Sequence, residues 1–208
     1  MKTAVTVAKR VVRPFSSFYR HTLSKQKIKH ILRQGKEVYL EMGSDQKGSN
    51  GWLTIDLTKS CDIFWDLRRG IPFPNESISK IYSSHFFEHL TFQEGQILLD
   101  ECLRVLISGG TFSICVPNAR IYIEAYLKSE LDFNKFCRHK PAYNKTTKID
   151  YLNYIAYMNG DHKYMFDEEN LLHILKSKGM KNVRLREFDP NLDLEKRRFE
   201  SIYAIGEK

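Results

Sequence analysis

The chain has 208 residues, of which 42% are hydrophobic and 28% charged. That is enough for one well-buried core and too few for two comfortable domains. The composition excludes a disordered chain, and no apolar run approaches the length a membrane helix needs. The formal net charge of +8 is concentrated at one end, because residues 1–36 hold ten basic residues (Lys2, Lys9, Arg10, Arg13, Arg20, Lys25, Lys27, Lys29, Arg33, Lys36) and no Asp or Glu, while the other 23 basic residues are outnumbered by 25 acidic ones.

Residues 1–36 read as a basic N-terminal arm with helical segments, and residues 37–208 as the main domain. The acid-free start suits a transit peptide or an anchor for an anionic membrane surface, with Val11, Val12, Phe15 and Phe18 as apolar contacts. The plainer alternative is a solvated helix that packs one stripe on the domain. The arm has no recognisable nucleic-acid-binding motif, so no nucleic-acid partner is expected. The four cysteines (Cys61, Cys102, Cys115, Cys137) form no C-x-x-C pair, which suits a reducing cytoplasm.

Beyond the arm, strand and helix patterns alternate, which predicts a Rossmann-like α/β fold: a mostly parallel sheet with helices on both faces. Val38 to Met42 reads as a strand, Trp52 to Leu57 as a second, Asp62 to Trp65 as a short third and Lys80 to Ser84 as a fourth. Only nine residues separate Met42 from Trp52, fewer than a helical crossover takes, so the first crossover helix is expected to be shortened or missing. A helix follows from Thr91 to Ile107, with Thr91 and Glu94 at capping-box spacing and Gly109-Gly110 as its stop. Thr111 to Val116 is a fifth strand. Residues 118–165 are aromatic and irregular and read as a variable acceptor-facing lid. Asp167 then caps a helix that runs through Lys178 and ends at Gly179, before strands near Asn182 to Glu187 and Ser201 to Ile205.

In an open parallel sheet, ligands bind outside the carboxyl ends of the strands, where the strand order reverses. The first three strands end in Leu40-Glu41-Met42-Gly43-Ser44-Asp45, Asp56-Leu57 and Asp66-Leu67, and the fourth in Ser84-His85. Gly43 allows close approach to the backbone, Asp56 is placed to bridge two ribose hydroxyls, and Asp66 with the following N–H suits an adenine edge. A row of carboxylates favours a cationic, adenosine-bearing cofactor over a polyanionic one. No G-x-G-x-x-G follows the first strand, which disfavours a dinucleotide.

The runs IPFPNESISKIYSSHFFEHL, ECLRVLISGGTFSICVPN and HKYMFDEENLLHILKSKGMKNV resemble the central and C-terminal blocks of class I S-adenosylmethionine-dependent methyltransferases, small-molecule and glycan type, methyltransferase type 11-like. The likeness spans about residues 37–189. It implies an enzyme that methylates an oxygen, with nitrogen the second choice, of a small molecule or cell-surface sugar. S-adenosylmethionine would be held by Glu41, Gly43, Asp45, Asp56, Leu57, Asp66, Leu67 and Ser84. His85, with Asp161 or His162, is the expected acid/base group at the acceptor, and no metal is required. The family's E/D-x-G-x-G-x-G loop is reduced here to Gly43, with Asp45 where the second glycine stands. Without a first helix, the loop's own amides or a residue of the basic arm must hold the cofactor's carboxylate.

Two other readings compete. His85-Phe86-Phe87-Glu88-His89 matches H-x-x-E-H, the inverted zinc-peptidase motif, which requires both histidines on one helix. The degraded glycine loop also suits a methyltransferase-like binding module without catalysis. For individual residues, Asp56 and Asp66 also serve as ordinary strand-end turn residues, and His162 as a packed residue beneath the helix that follows it.

Overall fold

The computed structural model describes residues 14–128 and 147–208. The first thirteen residues, with Val11 and Val12, and the middle of the aromatic insert, with Cys137 and Tyr143, lie outside the described residues. In chain order the elements are α1 (Pro14–Arg33), β1 (Tyr39–Met42), β2 (Trp52–Asp56), β3 (Ile63–Phe64), β4 (Ile78–Ser84), α2 (Phe92–Val105), β5 (Leu106–Pro117), α3 (Ala119–Leu127), α4 (Ile149–Tyr157), α5 (Glu168–Ser177), β6 (Lys181–Leu185) and β7 (Ser201–Glu207). Short 3₁₀ turns occupy Leu67–Arg69, Phe87–His89, Met158–Gly160 and Glu195–Arg197.

Seven strands form one sheet in the order β3-β2-β1-β4-β5-β7-β6. The first five are parallel, whereas β7 runs antiparallel to β5 and β6. Strand order therefore reverses between β1 and β4, and the segments after them, 43–51 and 85–91, flank the crevice at the carboxyl ends. The nine residues from Gly43 to Gly51 cross from β1 to the parallel β2 without a helix. The amide of Gly43 donates to the Ile55 carbonyl at 3.0 Å, so the chain turns back at once.

Alternation along the strands separates two environments. On one face Leu40, Met42, Ile81 and Ile114 join Leu98, Leu99 and Cys102 of α2, Leu171 and Leu175 of α5, and Ile28 of α1 in the main core. On the other face Tyr82, Cys115 and Tyr203 pack with Trp52, Phe188 and Leu192. That face is covered by the β6–β7 connection, whose only helical element is the turn Glu195–Arg197. Its anchor is Asp193, which accepts from Tyr82 Oη at 2.8 Å and from both terminal nitrogens of Arg186 at 2.5 and 2.7 Å.

The expected capping box of α2 is present: Thr91 Oγ1 accepts from the Glu94 amide and the Glu94 carboxylate accepts from the Thr91 amide. Gly109-Gly110 does not end this helix. Leu106 is already extended and opens β5, and the glycines lie where the β4 pairing jumps from Ile78↔Leu106 to Lys80↔Thr111. A side chain at Gly110 would approach the Ser79 carbonyl to 3.1 Å, so the bulge requires a glycine there. Gly179, with φ +85°, does end α5 as expected.

α1 lies against the edge strand β3. Ser24 Oγ donates to the Phe64 carbonyl at 3.1 Å and accepts from its amide at 3.0 Å, giving that edge the partner it lacks in the sheet. Lys27 Nζ reaches Asp62 Oδ1 at 2.9 Å. The basic arm thus ends in a helix whose later turns pack on the domain. In the aromatic insert, α3 and α4 share a small core of Tyr122, Ala125, Tyr151 and Ile155. Its base is closed where the Ala119 amide donates to the Phe166 carbonyl at 2.9 Å.

Candidate active site

The strand-end residues read from the sequence converge on the crevice. Asp56, Leu57, Asp66 and Leu67 line one open cleft of about 300 Å³ together with Trp65, Arg68, Phe86, His89, Leu90 and Lys163. Asp56 ends β2 half-buried; burial raises its carboxyl above the usual range, against amide donation from Leu57 and Thr58. Leu57 lies just past the strand and is exposed. Asp66 caps the Leu67–Arg69 turn and forms a two-pronged ion pair with Arg68 at 2.9 and 2.8 Å, which holds its carboxyl low. Its carboxylate is thus engaged by a neighbour, while Leu67 packs into the core.

Gly43 has φ +75°, and a Cβ there would lie 2.5 Å from the Phe86 side chain. The loop after β1 and the loop after β4 therefore touch through glycine, and the aromatic ring closes the floor of the crevice. Glu41 is half-buried on β1; burial raises its carboxyl, against a hydrogen bond from Ser44 and the charge of Arg197. Asp45 is exposed, and its carbonyl accepts from Ser60 Oγ at 2.6 Å.

Arg197 was not anticipated. From the last turn before β7 it donates through one nitrogen to both the carbonyl and Oγ of Ser84, at 3.0 and 2.9 Å. It thus brings a positive charge to the ends of β1 and β4. Nothing local in EKRRFES marks this arginine among its neighbours; only the return of β7 beside β5 carries it there.

His85 adopts a left-handed backbone, φ +50°. Its Nε2 lies 2.7 Å from Ser201 Oγ, and Ser201 Oγ donates to the Arg197 carbonyl at 2.6 Å. With the serine proton committed to the carbonyl, the histidine supplies the N–H of the first bond, and its lone pair falls on Nδ1, 3.5 Å from Glu88. Glu88 is 2% exposed, and burial pushes its carboxyl up to about 8.

His85 and His89 are not one turn apart on a helix. His85 turns to Ser201, while His89 ends a 3₁₀ turn and bonds through Nδ1 to the Asp161 carbonyl at 3.0 Å. The inverted zinc-peptidase arrangement is therefore not formed. Asp161 engages a histidine through its backbone, and its side chain is exposed. His162 is buried, bonded through Nδ1 to the Ile155 carbonyl at 2.8 Å and packed edge-on against His89 at 5.1 Å, and burial lowers its pKa. The Lys163 amide donates to the Glu88 carbonyl at 2.8 Å, pinning the end of the insert to the loop after β4.

Residues 61–114, the run from just before β3 into β5, match the family model described as a methyltransferase domain. That segment of the chain is thus similar to a methyltransferase domain. A comparison with curated proteins finds no match. Among solved structures, the domain is similar to an S-adenosylmethionine-dependent methyltransferase of Archaeoglobus fulgidus (16% identity, TM-score 0.52, covering 93% of this chain and 98% of that one). It is also similar to one of Methanosarcina mazei (16%, 0.52, 87% and 96%). A third is the 1,6-didemethyltoxoflavin-N1-methyltransferase of Burkholderia thailandensis, whose structure holds its acceptor and S-adenosylhomocysteine (11%, 0.51, 92% and 80%). At these identities the likeness is one of fold.

Proposed function

We propose that the domain methylates an oxygen of a small molecule or sugar, with the cofactor lying across the ends of β1, β2 and β4. The observation that carries this reading is the convergence of Asp56, Leu57, Asp66 and Leu67 on one cleft beside the Gly43–Phe86 contact. The donor set fits S-adenosylmethionine: Asp56 would accept from the ribose hydroxyls, the Leu67 amide and the Leu57 and Phe86 side chains would meet the adenine, and Glu41 would face the cationic end. When bound, the cofactor supplies an electrophilic methyl group.

The residues of the chain do the rest. With no helix after β1, Arg197 provides the positive charge for the cofactor's carboxylate, a task the sequence had suggested for loop amides or the basic arm. Ser201 holds the His85 ring so that Nδ1 takes the proton of the acceptor hydroxyl. The insert, closed over the crevice from Asp161 to Tyr164, excludes water and aligns the acceptor. The basic start of the arm adds contact with an anionic membrane surface, next to a domain in which no described helix is long and apolar enough to cross a membrane.

Isothermal titration with S-adenosylmethionine and S-adenosylhomocysteine tests the site. Saturable binding that weakens at least about tenfold in Asp56→Ala and in Gly43→Ala is expected, the second because its Cβ displaces Phe86. Binding unchanged in both variants would remove the cofactor from this cleft. The Arg68 grip on Asp66 favours a second reading, a binding module that retains the cofactor without turnover. Tight binding without methyl transfer to any hydroxylated acceptor would support it.

A further inference from the structure

Glu88, His89 and His162 present one ligand atom each within 4.8 Å of one another, although they come from the loop after β4 and from the far end of the insert. Each imidazole is already oriented by its other nitrogen: His89 Nδ1 lies 3.0 Å from the Asp161 carbonyl and His162 Nδ1 lies 2.8 Å from the Ile155 carbonyl. A carbonyl only accepts, so both rings carry their proton on Nδ1 and turn the Nε2 lone pair away. Backbone carbonyls in this position are how proteins set the tautomer of metal-ligating histidines. The third member, Glu88, has a buried carboxyl oxygen, Oε2, with no hydrogen-bond partner. A buried carboxyl oxygen without a partner is costly, and ring nitrogens that present lone pairs give it no proton to accept. A cation placed among them satisfies all three atoms together.

We propose that Glu88, His89 and His162 form a binding site for a divalent first-row transition-metal ion. Two imidazoles and one carboxylate suit zinc, manganese, iron or cobalt better than magnesium or calcium, which prefer oxygen alone. Tetrahedral bonds of about 2.1 Å set ligand atoms about 3.4 Å apart, so the loosest pair must close by about 1.4 Å at most, within reach of a small rotation of the half-buried His89 ring. Three protein ligands leave coordination positions open. His89 also lines the cleft that contains Asp56 and Asp66, so those positions face the cofactor's end of the crevice.

The consequence for the acceptor rests on the methyl-transfer reading. An ion here takes two neighbouring acceptor oxygens, which selects a vicinal diol or another chelating hydroxyl pair, and it lowers the pKa of the hydroxyl to be methylated. That hydroxyl gives its proton to His85 or to water. Its oxygen then forms the new bond to the methyl carbon while the sulfur–carbon bond breaks, its electron pair returning to sulfur.

Cobalt(II) alone is the probe, added to chelator-treated full-length protein and followed by its visible absorption and by titration calorimetry, with S-adenosylhomocysteine binding measured on the same samples. One equivalent of cobalt with a low-symmetry visible spectrum is expected. Affinity should fall at least about tenfold in Glu88→Gln and in His162→Ala, with the S-adenosylhomocysteine affinity retained. Should His162→Ala fail to fold, His162→Asn, whose side-chain amide can still donate to the Ile155 carbonyl, serves in its place. Absence of cobalt binding at millimolar concentration, or equal binding in wild type and all variants, overturns the site. Cobalt bound at these residues without any S-adenosylhomocysteine binding upholds the metal site and overturns the methyl-transfer reading instead.

Discussion

The two faces of the sheet are built from different chemistry. One buries aliphatic side chains under α1, α2 and α5, and the other buries Tyr82, Tyr203 and the Arg186–Asp193 pair under a connection with a single helical turn. The first gains stability from removed apolar area, without directional requirements. The second depends on geometry, because Asp193 is fully buried and its charge tolerates burial only while Arg186 and Tyr82 hold it. The difference bears on the proposed function: the polar connection delivers Arg197 and Ser201 to the crevice, on the face that lacks a first crossover helix.

The sharpest way to break this comparison is on the polar side. Asp193→Ala leaves Arg186 buried and uncompensated and should cost about 3–5 kcal/mol in urea unfolding, whereas Arg186→Met combined with Asp193→Leu should come close to neutral. If the double replacement costs as much as the single one, charge compensation is not what holds that face. On the apolar side, Leu98→Ala should cost about 3 kcal/mol through lost transfer energy and a cavity, and no second substitution at a polar residue should recover it. The smallest expected effect is at the β3 edge. Burial alone would raise the Asp62 carboxyl, but hydrogen bonds from Lys27 and from the Gly48 and Thr54 amides outweigh it and hold it below the usual carboxylate range. A depressed folded pKa contributes stability above the unfolded value of about 3.9 and loses it as pH falls through the folded one. Asp62→Asn should therefore cost about 1 kcal/mol at neutral pH, with the gap to wild type closing as pH falls below about 4. A gap that stays constant with pH would assign the effect to packing.

The strand ends were legible because alternation and turn residues are local. Asp56, Asp66 and Gly43 could be named from one pass along the chain, and they meet at one crevice. The stop of α2 was misread because a glycine pair marks a helix end and a β-bulge equally well; only the pairing partner, β4, distinguishes them. His162 was paired in sequence with Asp161, yet its contacts are His89 and the Ile155 carbonyl, supplied by the fold of the insert.

What the sequence by itself determined is the order of elements, the missing first crossover helix and the carboxylates at the strand ends. Each follows from periodicity, capping chemistry or chain length over a few residues. The tertiary structure alone decided that Arg197 reaches Ser84, that Ser201 orients His85, and that Glu88, His89 and His162 form one cluster. These contacts join residues 70 or more positions apart, and their geometry is set by how β7 inserts beside β5 and how the insert closes on the loop after β4, which no local pattern encodes.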